Sequence, residues 1–170
     1  RADDVSIFRN VDAMIAGLEA KLRYRFANGV WLGADGWLTY GQNLTDSRPI
    51  GQIPAAEAQL RAGWISETIE VETRLRLVAA QNRVDGNFRT GSGVDGTGLA
   101  GSEQRTPGFT TVDAALTWKP RPNIRLTAGV ENIFNTAYRE HIERADIDDP
   151  FTFAPTATGR SFYLRGLVRF

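Results

Sequence analysis

The sequence predicts an all-β fold, an antiparallel up-and-down sheet of the transmembrane β-barrel type. Three observations support this prediction. Apolar and polar residues alternate with the two-residue period of a strand in seven segments. The connections between them are alternately short and long, and aromatic residues stand at one end of the apolar sides. No run reaches the roughly 18 to 20 apolar residues of a transmembrane helix, but a barrel strand carries only a weak alternating signal.

The first two predicted strands are 14–26 and 30–40, joined by a short turn. In both, even positions are apolar or aromatic, and charged residues stand only at odd positions. Gly33 and Gly36 fall inside the second segment, and glycine at such positions argues against a helix.

The next two predicted strands are 56–64 and 68–80. Ile69, Val71 and the alternating charges after them are typical of a strand with one polar side. The segment 56–64 is the least secure, because 55–60 could also form a short helix.

The last three predicted strands are 110–118, 124–132 and 160–170. Valine, isoleucine, threonine, tyrosine and tryptophan are frequent in the predicted strands, which agrees with β-propensity. The final one alternates without a break and ends on the aromatic Phe170.

Apart from Arg160, the first residue of the last segment, sorting the seven segments by side separates charge. The apolar side then carries no charged residue, whereas the other side carries sixteen: Glu19, Lys21, Arg23, Arg25, Asp35, Glu57, Arg61, Glu70, Glu72, Arg74, Arg76, Asp113, Arg125, Glu131, Arg165 and Arg169. A shift of one residue would exchange the sides, so this separation supports the assigned registers.

Alternation does not decide which side faces outward. A soluble barrel or sandwich buries the apolar side, and a membrane barrel exposes it to lipid. Two patterns favour the membrane. Short turns at 27–29, 65–67 and 119–123 alternate with long loops at 41–55, 81–109 and 133–159. The aromatic residues at the short-turn ends form a predicted interfacial belt: Tyr24, Phe26, Trp64, Trp118 and Phe170. A soluble β-sheet binding domain with its apolar side buried remains the alternative.

Several segments resemble the C-terminal part of TonB-dependent outer-membrane receptors. They are GVENIFN at 129–135, YREH at 138–141, TPGFTTVD at 106–113, GRSFY at 159–163, and RPI at 48–50 together with IP at 53–54. The match is strongest over 106–170 and weaker over 12–85.

The resemblance implies a plugged barrel of about 22 strands, of which residues 1–170 supply the last seven. It implies the outer membrane of a Gram-negative bacterium, and a transporter that imports a scarce nutrient rather than an enzyme. The chain begins Arg-Ala-Asp-Asp without an initiator methionine. We therefore expect a fragment of a longer protein, with the plug and the TonB-binding region outside it.

The same resemblance implies partners and a cargo. The partners are TonB, the protein's own plug domain and outer-membrane lipid. A ferric siderophore is the default cargo, while copper or other metal chelates, cobalamin, haem and oligosaccharides stay open. In the family, long loops close over substrate, so contacts from 81–109 or 133–159 are expected, but no individual substrate-binding residue is identified. A terminal Phe170 also resembles the family's barrel-assembly signal.

No catalytic, metal or cofactor site is predicted. His141 is the only histidine, cysteine is absent and the single methionine is Met14, on the apolar side. We therefore interpret His141 as a hydrogen-bonded loop or rim residue rather than a metal ligand. Asp146, Asp148 and Asp149 lack EF-hand spacing, so a solvated acidic loop is preferred to a calcium site.

The glycine-rich stretch 86–101 has no lysine followed by serine or threonine, so a flexible extracellular loop is preferred to a phosphate loop. Asn43-Leu44-Thr45 is a formal glycosylation sequon without expected meaning in a bacterial protein. The formal net charge of zero argues against nucleic-acid binding.

The charged side supports two interpretations. Residues expected to line the interior are Lys21, Arg23, Arg25, Glu70, Glu72, Arg74 and Arg76. They either form a network of salt bridges that satisfies a wet interior and supports the plug, which we prefer, or mark a path for an anionic substrate along the arginines.

Overall fold

A computed structural model describes residues 10–85, 89–94, 100–103, 105–142 and 157–169. They form ten strands: β1 (Ala13–Arg25), β2 (Val30–Asn43), β3 (Arg48–Pro49), β4 (Glu57–Ile65), β5 (Ile69–Val78), β6 (Arg89–Val94), β7 (Ala100–Ser102), β8 (Phe109–Arg121), β9 (Ile124–Glu131) and β10 (Ser161–Val168). Within these ranges, no helix is long and apolar enough to cross a membrane.

The main sheet is an antiparallel meander in the order β1-β2-β4-β5-β8-β9-β10, with β3 added to β2. β6 and β7 form a separate hairpin within the second long loop. The seven strands of the meander run for eight to fourteen residues, and about nine to eleven tilted residues cross a bilayer.

All seven predicted strands are confirmed, and their ends differ from the predicted ones by at most three residues. The uncertain segment 56–64 is a strand, since its pairing with β2 on one side and β5 on the other outweighs local helix propensity. Two details were wrong. β3, β6 and β7 were not predicted, because such short strands carry no alternation. β8 continues to Arg121, so the turn expected at 119–123 is confined to Pro122 and Asn123.

The turn between β1 and β2 shows why the short connections are tight. Phe26 N donates to Val30 O at 2.8 Å, and Gly29 adopts a left-handed φ of 86°. A Cβ on Gly29 would lie 2.4 Å from the carbonyl oxygen of Ile65, so both the conformation and the neighbouring strand require glycine here.

The sheet is inside out relative to a soluble domain. Trp31 and Ile53 are the buried hydrophobic residues of the described ranges. Large apolar side chains are exposed, Leu22 by 70% and Leu164 by 82%, and nearly all those on the strands belong to the predicted apolar side. Polar residues of the opposite side are buried instead, among them Glu57, Thr111 and Thr117. We call these two sides the apolar face and the polar face.

The predicted aromatic belt is present as far as the structure describes it. Tyr24, Trp64 and Trp118 are exposed on the apolar face at the short-turn ends, and Phe26 contacts Tyr24 edge-on at 4.8 Å between ring centroids. Phe170, the fifth predicted member, lies outside the described residues.

Candidate functional site on the polar face

Arg76 on β5 is the centre of an ion-paired cluster near the long loops. Its Nε and Nη2 donate to the two carboxylate oxygens of Glu57 at 2.7 and 2.6 Å, a bidentate pair. Its Nη1 donates to Glu140 Oε1 at 2.5 Å. The guanidinium carbon also lies 5.1 Å from the ring centroid of Phe109, which stacks on Tyr138. The cluster therefore fastens the loop after β9 to β4, β5 and β8.

Arg74 forms a second pair one row nearer the short turns. Its Nε donates to Asp113 Oδ2 at 2.7 Å, and these residues face each other across the β5–β8 ladder. The other oxygen of Asp113 accepts a hydrogen bond from the backbone N–H of Asn132 at 2.8 Å. Asn132 has a φ of 51° and exchanges two hydrogen bonds with the backbone of Thr136, so its side chain ends β9 and turns the chain.

A cavity of about 490 Å³ opens beside these pairs. It is lined by Arg74, Arg76, Thr111, Asp113, Glu131, Asn132, Tyr138, Glu140, Ala157, Thr158, Gly159 and Ser161. Both arginines already hold carboxylates, so the cavity offers polar donors and acceptors without an uncompensated cation. The cavity is therefore a polar recess at the loop end of the polar face.

Glu103 joins three loops at the rim. Its Oε1 accepts a hydrogen bond from Gln52 N at 2.5 Å and lies 3.0 Å from His141 Nε2. Its Oε2 accepts a hydrogen bond from Asp85 N at 2.6 Å. The second ring nitrogen of His141 is 3.1 Å from Thr106 Oγ1. The side chains of Glu103 and His141 are only 4% and 2% exposed. The node thus connects each of the three long loops.

His141 is the hydrogen-bonded rim residue that the sequence suggested. In the described ranges, no group of three or more histidine, cysteine or acidic residues could hold a metal ion. Asp146, Asp148 and Asp149 lie outside the described residues, as do 86–88 and 95–99 of the glycine-rich stretch.

The β1 side of the polar face has its own contacts. Asp35 forms ion pairs with Arg61 at 2.9 Å and with Lys21 at 3.7 Å. Arg23 stacks over Trp31, with its guanidinium carbon 4.2 Å from the ring centroid. Trp31 is only 4% exposed and packs over Gly63, its partner in the β2–β4 ladder.

The residues predicted to line the interior differ in whether they form ion pairs. Arg74, Arg76 and Lys21 bind carboxylates, and Glu70 pairs with Lys119, as the salt-bridge interpretation expected. No ion pair is recorded among the described residues for Glu72 or Arg25. Sequence reasoning missed the partners of the arginines and the buried Trp31. The placement of Glu57 and Asp113 on the charged side was the available signal, but choosing partners required the strand register.

Comparison with known proteins identifies the sheet. The family model described as TonB dependent receptor-like, beta-barrel, matches residues 1–133. The solved structure of the copper transporter OprC superimposes with a TM-score of 0.80 at 27% identity, over 95% of this chain and 24% of that one.

Two further structures share the fold. The ferric yersiniabactin uptake receptor FyuA from Yersinia pestis matches at a TM-score of 0.67 and 18% identity, over 93% of this chain and 24% of its own. The ferric citrate transporter FecA in its unliganded form matches at a TM-score of 0.71 and 18% identity, also over 93% of this chain and 24% of its own. The chain therefore spans about a quarter of the length of these proteins. No curated protein matches it.

Proposed function

Because this chain belongs to the TonB-dependent receptor-like β-barrel family, we propose that it forms part of the barrel wall of a Gram-negative outer-membrane receptor that imports a scarce nutrient. The single observation that carries this proposal is the inverted sheet. An exposed apolar face needs lipid, and a face whose arginines and carboxylates pair with one another suits a wet barrel interior. The soluble binding domain that the sequence left open would need a second layer over the apolar face, and the described residues supply none.

The proposed cargo is an intact metal chelate, with a ferric siderophore as the first candidate. Soft ligands such as thiolates and thioethers select copper, and imidazole also binds it. This chain has no cysteine, and its one methionine, Met14, lies on the apolar face. The one histidine, His141, is buried, and its ring is hydrogen-bonded to Glu103. The chain therefore offers hydrogen bonds around the 490 Å³ cavity rather than ligands for a bare metal ion.

The likeness to a copper transporter makes a copper cargo the second candidate. In that case the copper ligands belong to parts of the receptor outside this chain. The remaining cargo classes of the family, cobalamin, haem and oligosaccharides, have no specific support here.

The proposed partners follow from the family. TonB would act through an N-terminal region outside this chain, and a plug domain would rest against the polar face. The salt bridges of Arg74 and Arg76 support the wall in this view, since each arginine already contacts carboxylates of the wall and loops.

Uptake by a deletion strain tests the proposal. We expect the full-length protein in the outer-membrane fraction, with heat-modifiable migration on a gel, and restored growth under iron limitation with the cognate siderophore. Restoration only under copper limitation would select the second candidate. A soluble, heat-insensitive protein would contradict the proposed function altogether.

The chain also supplies a test of the interior arginines. Substituting both Arg74→Gln and Arg76→Gln in the intact receptor should lower thermal stability and leave uptake unchanged, because both side chains are committed to wall carboxylates. Unchanged stability with slower uptake would instead assign them to an anionic-substrate path.

A further inference from the structure

The first long loop folds back over the polar face of β2. Gly41 occupies an odd position of β2, as Asp35 does, and a Cβ built on it would lie 2.6 Å from Ile53 Cδ1 and 3.1 Å from Ile50 Cβ. Because the side chains of a strand alternate between its two faces, Ile50 and Ile53 lie on the polar face. In the proposed function that face lines the barrel interior. Residues 48–54, which we call the inner turn, therefore lie inside the mouth of the receptor.

The inner turn is held on β2 by its backbone and by packing. Its first two residues form β3, which pairs with the end of β2. Ile50 N donates to Gly41 O at 3.2 Å, and Ile53 is one of the two buried hydrophobic residues of the described ranges. The absence of a side chain on Gly41 lets Ile53 pack directly on the strand. Moving the turn would break backbone hydrogen bonds and expose an apolar side chain.

The second long loop holds the inner turn as well. Gln81 Nε2 donates to Ile53 O at 3.0 Å, and Glu103 accepts a hydrogen bond from Gln52 N. Gln52 has a left-handed φ of 62°, a conformation that a residue with a side chain keeps only where its surroundings impose it. The inner turn thus has partners both on β2 and on a neighbouring loop.

We propose that the inner turn is a fixed constriction of the mouth, which stays on β2 while cargo binds and passes and which limits the size of the chelates that enter. This inference rests on the proposed function, in which the polar face lines the interior. A moving lid is drawn from segments with few buried apolar contacts and exposed backbone hydrogen bonds. The buried Ile53 and the bond from Ile50 N to Gly41 O give the inner turn the opposite character. Closing movements over cargo therefore belong to segments outside 41–55.

A reversible disulfide tests the fixed position in the intact, otherwise cysteine-free receptor. Gly41→Cys combined with Ile53→Cys places two sulfurs where these residues pack, and the shorter side chain at 53 removes the Cδ1 atom that a Cβ at 41 would meet. Mild oxidation should form the bond. Uptake of the radio-iron-loaded chelate that restores growth of the deletion strain should then be the same before and after oxidation.

The reduced double variant is the control for both substitutions. Uptake that is lost on oxidation and returns on reduction would show that the turn has to move. Absence of the bond in a receptor that still shows heat-modifiable migration would show that the turn is not held on β2. Either result overturns the proposal. If no chelate restores growth of the deletion strain, the proposed function fails instead.

Hydrogen exchange in the unsubstituted receptor gives an independent measurement. The Ile50 amide, which donates to Gly41 O, should exchange at the same rate with and without the chelate. A several-fold change in that rate would overturn the fixed position, even where the double variant does not fold.

Ile50→Ala tests the size limit itself. The substitution removes bulk from a half-buried side chain and keeps the backbone hydrogen bond to Gly41. When the chelate is coupled to fluorophores of increasing size, the variant should bind larger conjugates than the unsubstituted receptor does. An unchanged size limit would overturn the role of the inner turn as a constriction.

Discussion

The two faces of this sheet satisfy opposite requirements. On the apolar face, leucines such as Leu22 and Leu164 are largely exposed and contact no second layer of the described chain. On the polar face, Glu57 and Thr111 are buried, and charged groups bind each other. A soluble sheet would reverse this arrangement. The comparison teaches that composition and mean hydropathy say little about such a protein, because it is the assignment of residues to faces that distinguishes it.

The faces also differ in what a substitution should cost. The polar face depends on specific partners, since a buried charge that loses its partner is strongly destabilising. The apolar face depends on the absence of charge, and many apolar side chains can replace one another there. The first three predictions below each alter one face, the fourth alters the loops at the rim, and every one is compared with a control variant.

Glu57→Gln should have the largest effect. Its side chain is 6% exposed and holds Arg76 through two hydrogen bonds, so the substitution removes the buried negative charge and turns an NH2 donor toward the guanidinium, which keeps Glu140 as its carboxylate partner. We expect the free energy of unfolding of the lipid-reconstituted receptor to fall by about 3 to 5 kcal/mol in urea titrations. Glu131→Gln is the control, because Glu131 is exposed and its Oε2 accepts a long, 3.3 Å hydrogen bond from Ser161 Oγ. Equal losses in both variants would contradict the importance of the Arg76 cluster.

Leu116→Arg should cause the second-largest loss of stability. Leu116 lies on the apolar face of β8, one apolar position inward from Trp118 of the aromatic belt. An arginine on this face costs a barrel about 2 to 4 kcal/mol at the bilayer midplane and about 0 to 1 kcal/mol near the interface, so we expect a loss of about 1 to 3 kcal/mol at Leu116. Ala115→Arg is the control, since Ala115 lies on the polar face opposite Glu72 in the β5–β8 ladder. The same unfolding measurement should show a clearly smaller loss for the control. A larger loss at Ala115 would reverse the assignment of the faces.

Gly63→Ala should destabilise the polar face by overpacking. The added Cβ would lie 2.5 Å from both Trp31 Nε1 and the carbonyl oxygen of Val71. We expect a loss of about 1 to 3 kcal/mol in the unfolding titration. At Gly36 a Cβ would meet only the carbonyl oxygen of Glu57, at an ordinary 3.5 Å, so Gly36→Ala should have little effect.

Glu103→Gln should have the smallest effect on global stability and a distinct local one. The amide can replace only part of the hydrogen bonding to Gln52 N, Asp85 N and His141, at a local cost of about 1 to 3 kcal/mol. Hydrogen exchange should accelerate at the Gln52 and Asp85 amides together.

Thr45→Ala is the control for the rim, because Thr45 accepts one hydrogen bond from Asp12 N at 2.8 Å. It should accelerate exchange at Asp12 alone. Acceleration of only one of the two amides in Glu103→Gln would show that the loops open independently.

The strands and faces could be predicted from the sequence, but the site could not. Alternation places Glu57, Arg76 and Asp113 on the charged face without any structure. It does not say that Arg76 meets Glu57 and Arg74 meets Asp113, because those pairs depend on the stagger between neighbouring strands and on which rotamers the arginines adopt. Glu140 and Glu103 lie in loops, where no periodicity constrains a side chain. Trp31 was unexpected, since a buried indole on a charged face follows from its contact with Gly63 across the ladder.

The most direct test of the central claim is a comparison of lipid and water access along one strand. This chain has no cysteine, so single nitroxide labels can be placed on β4 by Ala58→Cys, Gln59→Cys, Leu60→Cys and Arg61→Cys in an otherwise cysteine-free, reconstituted receptor. We predict that lipid-soluble oxygen accelerates the relaxation of the nitroxides at 58 and 60. A water-soluble nickel chelate should accelerate the relaxation of those at 59 and 61, or both reagents should leave those two unchanged. Access to the nickel chelate at 58 and 60, with oxygen access at 59 and 61, would contradict the account.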